Sequence, residues 1–162
     1  MEVRFDPYVL DIDIQKTRLF YKKTNNVSVG CSCSGCRNFE RATEILPAEV
    51  KKFFAALGID MKKPAEVYAN TVNADGSVAY GGFYHICGRL LDGESAWVTV
   101  KSNKKATTFY LDSSKAYSIS KDFRVFFQED CCLVEDGFPE PVLQLEIEAN
   151  IPWVLAEPND FI

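Results

Sequence analysis

The chain has 162 residues, 47% hydrophobic and 25% charged, an ordinary globular balance that suits one domain with its own core. The formal net charge is −5 and the lysines come as scattered doublets such as Lys22-Lys23 and Lys51-Lys52, so no nucleic-acid partner is expected. No apolar run approaches the roughly eighteen residues a membrane span needs, and MEVRFDPYVLDIDIQ lacks the basic start and apolar stretch of a secretory leader, so a membrane role is not expected either.

Leu10, Ile12 and Ile14 alternate with Asp11 and Asp13, the period-two pattern of a half-buried strand. Arg18 to Lys23 is predicted as its hairpin partner. Thr24 to Gly35 is small and polar and reads as a loop. Phe39, Ala42 and Ile45 or Leu46 then recur at helical spacing, with Ser34 or Asn38 as caps. From Pro47 to Leu57 the helical signal is strongest. Pro47 suits the first turn, Glu49 favours the dipole, and Val50, Phe53, Phe54 and Leu57 make an apolar stripe. Gly58 supplies a left-handed stop and lets Ile59 fold back onto Phe54.

Beyond Pro64 the chain reads as strands. Glu66 to Val72 and Val78 to Arg89 flank an Asn73-Ala74-Asp75-Gly76 turn, and Trp97 to Lys101 and Thr107 to Leu111 flank a Lys/Asn-rich one. Asp122 to Gln128 is an aromatic strand. Leu143, Leu145 and Ile147 alternate with Gln144, Glu146 and Glu148 as an amphipathic strand, and Ile151 to Leu155 follows as a short last one. Twelve Phe, seven Tyr and two Trp favour strands and slab-like core packing. The expected fold is α+β: a mostly antiparallel sheet, either a curved sheet or an open barrel, with a helical hairpin inserted near the N-terminal third.

Six cysteines without a leader predict a reducing, cytoplasmic setting, where close cysteine spacing reads as metal binding or redox chemistry. Cys31-Ser-Cys33-Ser-Gly-Cys36 offers three thiols that can converge on a soft tetrahedral ion such as zinc. The fourth ligand is expected from His85 or Cys87, which share a face of a predicted strand, or from Cys131 or Cys132. A second reading makes Cys36 a reactive thiol, acidified by a helix starting near it, with Cys31 or Cys33 as resolving partner. Each of these cysteines also reads simply as a small buried hydrophobe.

His85 is the only histidine, which excludes three-histidine zinc catalysis and H-E-x-x-H hydrolysis. No glycine-rich phosphate loop is present. The chain therefore reads as a non-enzymatic binding domain with a protein partner and a structural zinc. The alternative is a thiol-dependent redox protein or enzyme using Cys36.

The stretches CSCSGCRNF (Cys31 to Phe39), LGID (Leu57 to Asp60), KPAEVY (Lys63 to Tyr68) and YGGFYHICG (Tyr80 to Gly88) together resemble a family of uncharacterised small bacterial proteins. The resemblance covers about the middle third of the chain. It implies a bacterial cytoplasmic protein and carries no site residue across.

Overall fold

A computed structural model describes residues 1–101 and 107–159. The expected α+β fold is what it shows. The chain opens with β1 (Glu2–Phe5) and β2 (Tyr8–Ile12). Four helices follow: α1 (Ile14–Tyr21), α2 (Val27–Gly30), α3 (Ser34–Ala42) and α4 (Ala48–Ala56). Strands dominate the rest, with one 3-10 turn at Ser113–Lys115: β3 (Glu66–Val72), β4 (Val78–Asp92), β5 (Trp97–Lys101), β6 (Thr107–Leu111), β7 (Tyr117–Ser120), β8 (Phe123–Gln128) and β9 (Val142–Ile151). Seven strands form one antiparallel sheet in the order β1-β2-β4-β9-β8-β7, with β3 also on β4. The sheet is open, with β1 and β7 at its ends, and does not close into a barrel. β5 and β6 form a separate hairpin, and the Lys/Asn-rich turn expected between them lies outside the described residues.

Two expectations need correction at the N-terminus. Arg18 to Lys23 is not a strand: it lies largely in α1, and the hairpin partner of β2 is β1. The Asp13 side chain accepts from the Lys16 N–H at 3.0 Å and so caps α1, which ends the strand pattern at Ile12. The segment read as a loop holds α2 and the first two residues of α3. At the other end, Ile151 closes β9, and no separate strand follows among the described residues, so the short strand expected over Ile151 to Leu155 is absent.

Helix α4 matches its sequence signals. Ile59 N–H donates to Phe54 O at 3.0 Å and Gly58 N–H to Ala55 O at 3.1 Å, the paired bonds of a Schellman stop, with Gly58 at φ 79°. Its Phe54 packs edge-on against Tyr84 of β4 and Phe123 of β8. The main core therefore lies between the helices and one face of the sheet, where Tyr84, Ile86, Leu143, Leu145, Ile147 and Val125 are all buried.

The long strand β4 has a divided edge. β3 pairs with it up to Phe83 and β2 takes over at Gly88. Between them the edge-facing groups of His85 and Cys87 have no strand partner, and α1 supplies one. Tyr21 OH donates to His85 O at 3.0 Å and accepts from His85 N–H at 3.1 Å. Thr17 Oγ1 accepts from Cys87 N–H at 3.0 Å, and Asp13 N–H donates to Cys87 O at 2.7 Å. Thr17 and Tyr21 stand one helical turn apart, which matches the two-residue repeat along one strand edge.

Tyr21→Phe strands one buried donor and one buried acceptor at His85 and should cost about 2–4 kcal/mol in urea unfolding. Tyr110→Phe, on the exposed hairpin, should stay within about 0.5 kcal/mol. Equal effects would show that the Tyr21 hydroxyl does not seal the edge.

Candidate metal centre

The segment Cys31 to Cys36 is held from several sides. Cys31 N–H donates to Val27 O at 3.0 Å and closes α2. Cys33 is the N-cap of α3, its Sγ accepting from Cys36 N–H at 3.4 Å, a place expected for Ser34 or Asn38. Asn38 is instead a buried clamp. It donates to Tyr80 OH at 3.3 Å and Pro152 O at 3.2 Å, and its Oδ1 accepts from Val154 N–H at 2.7 Å. Tyr80 OH donates to Gly35 O at 2.8 Å, which fixes the first turn of α3 to the sheet. Glu40 reaches back to α2, accepting from Asn26 Nδ2 at 2.8 Å and Ser28 N–H at 3.1 Å.

This frame brings the three sulfurs of Cys31, Cys33 and Cys36 within 4.8 Å of one another, and they form a group that can hold a metal ion. Cys31 and Cys33 are 3.3 Å apart and exposed, whereas Cys36 is buried. Their acidities differ. Contacts from the Cys33 backbone and the Cys33 and Cys36 thiols hold Cys31 below the ordinary thiol range. Burial, reinforced by its two neighbours, pushes Cys36 well above it. The acidified thiol expected at Cys36 is thus found at Cys31, because α3 starts at Ser34 and buries Cys36 within its first turn.

The expected fourth ligands lie outside this group among the described residues. His85 lines the same 630 Å³ pocket as Cys31 and Cys36, but its ring is engaged by Gln144 Oε1 at 3.3 Å and by the Cys132 backbone. Burial lowers its pKa, which leaves the imidazole neutral near pH 7. Cys87 is buried with its Sγ 3.5 Å from Glu140 O, on a different cavity shared with Asp13 and Lys16. Cys131 Sγ contacts Val142 O at 3.5 Å, and Cys132 is exposed.

A second polar cluster was not visible in the sequence. Gln144 and Glu146 belong to the polar side of the β9 alternation, yet both are buried. Glu146 Oε1 accepts from Gln144 Nε2 at 2.6 Å, Gln128 Nε2 at 2.7 Å and Trp97 Nε1 at 3.2 Å. Gln144 Oε1 in turn accepts from Cys132 N–H at 2.7 Å. The side chains of Trp97 and Phe138 cover this face, one from the β5–β6 hairpin and the other from the segment before β9. Burial raises the Glu146 pKa, against three donors that lower it. The only sequence signal was that Gln128, Gln144 and His85 interrupt apolar runs on three neighbouring strands.

No helix of the described residues is long and apolar enough to cross a membrane. Comparison with family models, with curated proteins and with solved structures finds no match.

Two expectations follow. In chelator-treated protein, Cys31 should be alkylated first and Cys36 last of the three clustered cysteines, read by peptide mass spectrometry near pH 7.5; Cys36 reacting first would refute the assigned acidities. For Glu146, a raised folded pKa means that its contribution is complete below the unfolded value of about 4.5 and is lost as pH rises through the folded value. Glu146→Gln, which keeps an acceptor without the charge, should therefore gain stability relative to the parent chain as pH rises from 4 to 7. Glu146→Leu leaves the two buried amide N–H donors of Gln128 and Gln144, and the partly buried indole N–H of Trp97, without an acceptor and should cost roughly 2–4 kcal/mol. A pH-independent difference for Glu146→Gln would refute the raised pKa.

Proposed function

We propose that the chain is a non-enzymatic binding domain that carries a zinc ion on Cys31, Cys33 and Cys36. The observation that carries this reading is the convergence of three sulfurs within 4.8 Å on a segment anchored by buried polar contacts. Tetrahedral zinc with bonds of about 2.3 Å sets its sulfurs roughly 3.8 Å apart, so the three thiols reach it with small side-chain shifts. Thiolate donors favour zinc and other soft ions over magnesium or calcium. The centre sits at the N-terminus of nine-residue α3, where the dipole favours negative charge. All six cysteines are free, in keeping with a reducing, cytoplasmic compartment.

The bound ion would tie α2 to α3 and so fix one edge of the domain. Val100, Phe109 and Tyr110 stand exposed on the β5–β6 hairpin, which supports a protein partner rather than a small substrate as the domain's main target. Redox chemistry through Cys36 has less support, because burial keeps that thiol protonated.

Elemental mass spectrometry of untagged protein, purified without chelator, should give about one zinc per chain. Cys31→Ser, Cys33→Ser and Cys36→Ser should each lose most of it, and Cys131→Ser and Cys132→Ser should retain it. Metal-free protein that also fails to take up added zinc would end this reading.

A further inference from the structure

The three sulfurs leave one corner of a tetrahedral ion without a protein donor among the described residues. A structural zinc is normally closed by four protein ligands, whereas here two of three sulfurs are exposed. Cys31 and Cys36 also line the 630 Å³ pocket, whose apolar walls include Phe20, Val27, Val29 and Phe138. That volume lies within the range of small-molecule sites. His85 is on the same pocket, with its ring committed to Gln144 and the Cys132 backbone.

We infer that the open corner and the pocket together bind a small organic thiol, its sulfur on the metal and its apolar body against Phe20, Val29 and Phe138. The inference rests on the zinc reading above. Sulfur is the donor that a thiolate-bound soft ion favours. On binding, the thiol S–H bond breaks and its proton passes to solvent. A metal–sulfur bond forms as water leaves, and no oxidation state changes. The N-terminus of α3 offsets part of the added negative charge.

The probe is cobalt(II) loaded into the full chain and titrated with benzyl mercaptan, 2-mercaptoethanol and benzyl alcohol. Benzyl mercaptan should strengthen the sulfur-to-cobalt absorption and bind roughly tenfold or more tightly than 2-mercaptoethanol, because its ring buries apolar area in the pocket. Benzyl alcohol should leave the spectrum unchanged. Val29→Asp, at an exposed wall position, should remove about tenfold of the benzyl mercaptan affinity and little of that for 2-mercaptoethanol.

A spectrum indifferent to thiols, or equal affinity for both thiols, overturns the inference while leaving the zinc reading intact. So does a changed thiol-free spectrum in His85→Asn, which would place His85 at the fourth corner. Zinc K-edge absorption of the parent chain decides the same point without a variant: three sulfurs and one oxygen support the inference, and an imidazole nitrogen overturns it. A chain that takes up neither cobalt nor zinc fails the zinc reading itself.

Discussion

The fold depends on how α1 completes the edge of β4. A fifteen-residue strand is too long for either neighbour alone, and β3 and β2 each take one end of it. The backbone groups left between them are buried, and buried peptide groups must be paired. Two side chains one helical turn apart, Thr17 and Tyr21, do what a strand would do there. The helix is thereby fixed in register against the sheet. With α1 in place, Gly58 can approach it closely, a Cβ there falling 2.7 Å from Ile14 O, and α4 is set over the core.

The candidate metal centre follows from the same economy of side-chain bonds. No strand or long helix carries the three cysteines. Tyr80 and Asn38 tether α3 to the sheet and to the segment after β9, and Glu40 tethers α2 to α3. The sulfurs converge because both ends of their short segment are held. Glu146 shows the reverse case: a carboxylate that attracts three neutral donors and stays short of a cation, so its charge is costly where its hydrogen bonds are not.

Much of this was legible in the chain. The α4 stripe, its Gly58 stop, the Asn73–Gly76 turn and the alternation of Leu143, Leu145 and Ile147 gave elements that the structure contains. The spacing of Cys31, Cys33 and Cys36 pointed to a converging group. What escaped depends on contacts distant in sequence. The strand alternation runs on to the first residue of α1 because Ile12 and Ile14 straddle its cap at Asp13. Gln144 and Glu146 read as solvent-facing because nothing local shows that Trp97 and Phe138 cover them. Cys36 was expected to be acidified because a helix start is visible in sequence but the burial of its first turn is not.

Asn38 has a consequence of its own. Its side chain joins the segment after β9 to α3 and mimics a rung of backbone pairing, contacting Pro152 O and Val154 N–H. Trp153 folds its indole back onto Glu157 O, and Arg37 pairs with Glu157. The stretch from Pro152 to Glu157 is thus buckled to the cysteine-bearing helix rather than woven into the sheet. Opening that buckle would loosen the floor beneath the three sulfurs before any strand of the sheet had to part.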